Sequence, residues 1–203
     1  MRTAVAVALT LRAGPHRIPY WARIVGRRAV MRLWAGIVLA VAVVSAPVTA
    51  QANVVSSGPS GFTVSEEAEY PGTPAAAWQR LIHPADWWSS KHTYSGDAAR
   101  MTLSLEPGGC WCETLPNGGF IRHMEVVYAA PGVALRLVGG LGPLQAMGAS
   151  GALTFKLSAA EGGKTKVVAE YTVAGYAADG LAQIAVGVDH VLAEQLKRFA
   201  GAP

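Results

Sequence analysis

Acidic residues are absent from the first 52 positions, although seven of the chain's 17 Lys and Arg residues lie there. From Asn53 onward ten Lys and Arg face 13 Asp and Glu, a net charge of −3. The isoelectric point near 9.3 therefore belongs to the N-terminal stretch. A basic, nucleic-acid-seeking domain is not supported by that balance. Cysteine is scarce, with two in 203 residues, too few for a disulfide framework. No apolar run reaches the roughly 20 residues that span a bilayer. The longest, LWAGIVLAVAVV, is about a dozen residues long. No Lys-Ser/Thr ending follows the Gly139-Gly140-Leu141-Gly142-Pro143 stretch, so a phosphate loop is excluded as well.

What is present at the N-terminus has the pattern of an export signal. Arg27, Arg28 and Arg32 make a positive region and the apolar stretch follows. SAPVTAQA then offers small residues at −3 and −1 of two alternative cuts, after Ala50 or after Ala52. Met31 opens a compact signal by itself, so residues 1–30 read as an upstream extension of the start. An uncleaved anchor is the alternative, and RRAVMR loosely resembles a twin-arginine signal. No lipobox cysteine follows the apolar run. The expected organisation is a leader over 1–52, a polar linker over 53–61, and one domain over 62–200, exported to the periplasm. No stable membrane span is expected once the leader is removed.

Within that domain, FTVSEEAEY alternates as a strand and stops at Pro-Gly. Thr73 and Pro74 form an N-cap and first helical position ahead of AAAWQRLI, and HPADWWSS makes a second short helical turn. Six strand-like runs follow from Met101, separated by PNGG, APG, LGPLQAMG and EGG. The final segment places Leu181, Ile184, Val188, Leu192, Leu196 and Phe199 on one helical stripe. Asp179 is its expected cap. Strands in meander followed by a long amphipathic helix imply an α+β domain, an antiparallel sheet of about seven strands with helices on one face. The stripe is expected to pack on Leu153, Phe155, Leu157, Val167, Ala169, Tyr171 and Val173.

This order, with Trp87-Trp88, KHTYSGDAARMTLSLEPGGCWCE, HMEVVYAAPGVALRLVGGLGPLQ and VDHVLAEQLKRF, resembles the helix-grip fold of the START-like, or SRPBCC, superfamily. It resembles most the bacterial SRPBCC domain-containing branch, related to polyketide cyclases and to homologues of the heat-shock-protein ATPase activator. The resemblance implies a curved sheet wrapped around the C-terminal helix with an apolar cavity between them. It also implies that the Trp87-Trp88 to Tyr94 segment lies near the cavity mouth. It implies no shared reaction, since members carry lipids, cyclise polyketides or bind partners.

The chemistry-bearing stretch is EPGGCWCETLPNGGFIRHMEVV, residues 106–127. Asn117-Gly118 marks a hairpin tip. One register sets Leu115 beside Phe120, Glu113 beside Arg122 and Cys112 beside His123, and further along Glu125 beside Arg136. Alternation then assigns Trp111, Glu113, Leu115, Phe120, Arg122, Met124 and Val126 to the core face. Cys110, Cys112, His123 and Glu125 fall on the other, and a one-residue slip would reverse the relation between the strands. That second face makes Cys110, Cys112 and His123 weak zinc candidates. Two buried free thiols are favoured over metal binding or a Cys110–Cys112 disulfide.

The function expected is non-covalent binding of a small hydrophobic ligand, lined by Trp87, Trp88, Tyr94, Trp111, Met124 and Tyr171, with Glu113 and Arg122 as polar contacts. The alternatives are a cyclase- or hydrolase-type enzyme using Glu113 or His123 for proton transfer, and a partner-binding module. Asp189 and His190, adjacent on a helix, point about 100° apart and make a poor dyad. No cofactor and no nucleic-acid partner is expected.

Overall fold

The computed structural model describes residues 53–201, so the leader lies outside the described residues. Two strands open the domain, β1 (Val54–Gly58) and β2 (Gly61–Tyr70), followed by helix α1 (Pro74–Leu81). Thr73 caps α1, its hydroxyl accepting the Ala76 N–H at 3.3 Å, and Pro74 takes the first turn, where an amide proton is not needed. Three 3-10 turns come next, at Pro84–Asp86, Ser90–His92 and Ala98–Arg100. Strands β3 (Met101–Leu103), β4 (Cys110–Thr114), β5 (Phe120–Ala130) and β6 (Ala134–Gly139) then lead into the one-turn α2 (Pro143–Ala146). Strands β7 (Ser150–Ala159) and β8 (Thr165–Ala174) precede the 18-residue α3 (Ala182–Phe199).

All strands pair antiparallel in one curved sheet of order β1-β2-β8-β7-β6-β5-β4-β3. The sheet has eight strands, one more than the hydrophobic pattern suggested, because β1 runs through the segment read as linker. Its middle residues Val55, Ser56 and Ser57 are exposed, so as an edge strand it carries no buried alternation to reveal it. On β8 the alternation is complete, with Val167, Ala169, Tyr171 and Val173 buried one after another. They meet Leu153, Phe155 and Leu157 of β7 and the stripe of α3 in one core.

Asp179 does not cap α3. Leu181 takes the N-cap position without a side-chain bond, and its N–H is satisfied by Pro59 O at 2.9 Å. The closest backbone neighbours of α3 are β2 and β1, so the helix lies toward one edge of the sheet's concave face. Its C-terminal half is packed solidly. Phe199 lies 5.4 Å from the Tyr70 ring and 5.5 Å from Trp87, and Trp87 in turn meets Phe155 and Trp111 at 6.2 Å.

Candidate functional site

The N-terminal half of α3 has no such packing on one flank. Ile184, Gly187, Val188, Val191 and Leu192 face a cavity of about 570 Å³. Its other walls come from Trp88 and Tyr94, from Met101 and Trp111 of β3 and β4, from His123 of β5, and from Leu141 to Pro143 after β6. Such a volume falls within the roughly 300–1,000 Å³ of small-molecule sites. Trp88 and Trp111 meet edge to face at 4.8 Å, which fixes both indoles. At the rim the Tyr94 hydroxyl donates to Gly142 O at 2.8 Å, and His92 Nε2 lies 2.9 Å from Glu194 Oε2.

A local irregularity brings charge to this wall. The hairpin tip is a three-residue loop, Pro116-Asn117-Gly118, with Gly118 at φ 82° and Leu115 N–H donating to Gly119 O. That loop is one residue shorter than the sequence register assumed. Thr114 therefore faces Phe120, Glu113 faces Ile121 and Cys112 faces Arg122. A bulge then restores Trp111 opposite Met124, with His123 as the extra residue. Gly139 on β6 makes room for it, since a Cβ there would stand 2.5 Å from His123 O. His123 and Met124 both turn inward as a result, and both are buried.

His123 Nε2 lies 3.0 Å from Glu113 Oε2. Glu113 is fully buried and also accepts the backbone N–H groups of Tyr94, at 3.1 Å, and of Ser95. Burial pushes its carboxyl up, but the hydrogen bonds from Ser95, Tyr94 and His123 outweigh it and hold the group below its usual range. For His123, burial wins over the neighbouring carboxylate and lowers the imidazole's pKa. The pair at neutral pH is thus a carboxylate beside a neutral imidazole. With Nε2 donating to Glu113, Nδ1 is left as the acceptor, and it has no hydrogen-bond partner among the described residues. On the cavity wall His123 thus presents an acceptor oriented by a buried anion.

Several expectations from the sequence change here. Arg122 is exposed and pairs with Glu125, three residues on, so neither the Glu113–Arg122 nor the Glu125–Arg136 pair forms. The shorter loop turned Arg122 outward. A second bulge, near Val126 and Tyr128, places Val138 opposite Glu125 and Arg136 over the Tyr128 ring at 5.7 Å. Phe120, expected in the core, is 72% exposed. Cys110 and Cys112 are joined in a disulfide rather than free, with Cα atoms 5.4 Å apart, a separation that disulfides accept. Oxidised and facing away from His123, they are not metal ligands, and no cluster of three metal-binding side chains occurs among the described residues.

Of the residues expected to line a pocket, Trp88, Tyr94 and Trp111 stand on the wall. Trp87 is buried behind them in the aromatic core. Met124 and Tyr171 are buried in the core and do not line it. Tyr171 acts on the site indirectly. Its hydroxyl donates to Gly139 O at 2.8 Å and accepts Leu141 N–H at 3.2 Å, bracing the loop that forms one wall. Burial pushes that phenol up to about 12. Asp189 is buried and His190 exposed, so they form no dyad. The sequence reading missed Met101, Leu141, Gly187, Val188 and Val191 as wall residues. For Val188 the signal existed, because a stripe position near the helix start has no guaranteed partner on a short, curved sheet.

No protein-family model and no curated protein matches the chain. Solved structures do share its architecture. Protein MLL2253 from Mesorhizobium loti superposes with a TM-score of 0.50 at 18% identity, over 68% of this chain and 94% of its own. Ara h 8.0201 gives 0.49 at 17% identity, over 70% and 96%. CalU16 from Micromonospora echinospora gives 0.41 at 16% identity, over 69% and 76%. The domain has the helix-grip fold. At these identities the likeness speaks for architecture and leaves activity to be argued from the site.

Proposed function

We propose that this domain binds a small, mainly apolar molecule carrying a hydroxyl or similar donor, non-covalently, in the cavity beside α3. The observation that carries the reading is a mainly apolar wall on which His123 presents Nδ1, an acceptor without a partner among the described residues. A ligand burying roughly 300 Å² of apolar surface gains on the order of 7 kcal/mol before the costs of association. A hydroxyl aimed at His123 adds orientation to that gain. The leader pattern and the Cys110–Cys112 disulfide support a working place outside the cytoplasm, where disulfides persist.

The His123–Glu113 pair favours one second reading, a cyclase- or hydrolase-type proton transfer. A neutral imidazole held by a carboxylate is suited to take a proton from a bound substrate. No comparable observation favours a partner-binding module. The exposed apolar side chains Val127, Tyr128 and Val138 are interspersed with Arg122, Glu125 and Arg136.

Native mass spectrometry of protein purified from its own host is expected to show a co-purified molecule of a few hundred daltons. Val188→Trp, which fills the cavity, should remove that adduct while leaving the melting profile intact. A natural protein with no adduct, or an adduct indifferent to Val188→Trp, refutes the binding reading. Returning the recovered molecule to fresh protein separates the two functions: a molecule unchanged in both mass and chromatographic retention marks a carrier, and a change in either that is lost in His123→Gln marks an enzyme.

A further inference from the structure

Asn53, the first described residue, is held at three points. Its backbone N–H donates to Asp189 Oδ2 of α3 at 3.1 Å, its side-chain amide donates to Glu66 Oε1 of β2 at 2.9 Å, and its carbonyl accepts Ser65 N–H at 3.3 Å. The two acids that hold it are 3% and 9% exposed. Asp189 Oδ1 is buried with no partner, and neither acid has a cationic partner among the described residues. Two buried carboxyl groups without a cation are costly to keep. Burial, with Asp189 close by, accordingly pushes the Glu66 carboxyl up. The backbone amide of Asn53 brings one proton to this pocket, and it leaves Asp189 Oδ1 buried without a partner.

We infer that the leader is removed between Ala52 and Asn53, and that the α-ammonium so created pairs with Asp189 and Glu66. This rests on the export reading above. Water adds across the Ala52–Asn53 peptide bond; Ala52 departs with the leader as a carboxylate, and Asn53 keeps the nitrogen as an ammonium with three donors. One replaces the amide bond to Asp189 Oδ2, and the others serve Asp189 Oδ1 and Glu66. The sequence agrees, because Ala50-Gln51-Ala52 sets alanine at both −3 and −1 of this cut, whereas the cut after Ala50 sets Val48 at −3. Among the described residues no Lys, Arg or His pairs with Asp189 or Glu66 at the junction of β1, β2 and α3. Processing supplies a cation there, so the mature domain is more stable than its precursor, and the hold on β1 tightens once the leader has gone.

The test is the N-terminus and melting temperature of the full chain exported from a bacterial host. Mass spectrometry is expected to find a mature chain beginning at Asn53. A glycine inserted between Ala52 and Asn53, with the cut after Ala52 confirmed by mass, moves the amine one residue away and should lower the melting temperature by at least about 4 °C. Asp189→Asn should lower it in the natural mature chain and do much less in the glycine-inserted one. A retained leader overturns both the export reading and this inference. An exported chain beginning elsewhere, or a glycine insertion without effect, overturns the inference alone.

Discussion

The two halves of α3 meet different surroundings. From Leu192 to Phe199 the helix is packed and tied. Ser89 N–H donates to Gln195 Oε1 at 2.7 Å, Arg198 Nε to Trp87 O at 3.0 Å, and Arg80 Nε to Phe199 O at 2.8 Å. From Ile184 to Val191 one flank borders open space, and its only side-chain tie to the sheet region among the described residues is Asp189 to Asn53. One continuous helix therefore does two jobs. Its second half closes the core with Trp87 as hub, and that closure lets the first half roof a void without the domain collapsing around it. The cavity is placed where packing is absent, at no loss to the part that holds the fold.

The comparison is broken most forcefully at Phe199. Phe199→Ala removes a fully buried ring shared by Tyr70 and Trp87, and should cost about 3–5 kcal/mol in urea unfolding. A loss under about 1 kcal/mol would show that the second half of the helix does not carry the core. A smaller effect follows acidification on the cavity side. The folded state holds His123 below its ordinary pKa of about 6.5, so its contribution is present above that pH and is lost as pH falls through the folded value. Glu113, also held low, adds a loss of the same sign further into acid. Urea midpoints measured downward from neutral pH should fall, and His123→Gln should flatten the first part of that decline. A decline that runs unchanged in His123→Gln would contradict the neutral imidazole, since Glu66, held high, acts with the opposite sign in both chains.

The smallest effect is at Gly187, where the sign separates the two halves. A Cβ there would meet no atom within 4 Å, so the glycine is not required by packing. Gly187→Ala should stabilise the helix by up to about 1 kcal/mol. The new methyl intrudes on the cavity wall, so the affinity for the co-purified ligand should fall while stability rises. A gain in both would mean that the glycine does nothing for the cavity.

Much of this was legible in the residues. The α3 stripe, the Thr73-Pro74 start and the buried alternation of β7 and β8 all follow from period and capping chemistry. The His123–Glu113 pair was not legible, because it depends on two one-residue events that compensate each other: a three-residue hairpin loop and the bulge at His123. Gly139, which makes room for the bulge, lies on a different strand and contributes only after that strand is paired. For β1 the reason is different. An edge strand held by main-chain bonds and a polar clamp at Asn53 leaves no hydrophobic pattern to read.

Between Cys110 and Cys112 sits Trp111, whose indole is a wall of the cavity. A ring closed over so few residues withdraws little freedom from the denatured chain, so its effect is local. What it fastens is the one peptide unit from which that indole hangs. The covalent clasp faces the outside while the surface it steadies faces the cavity, so a reductant acting on the exterior of β4 would loosen the interior without unravelling the domain.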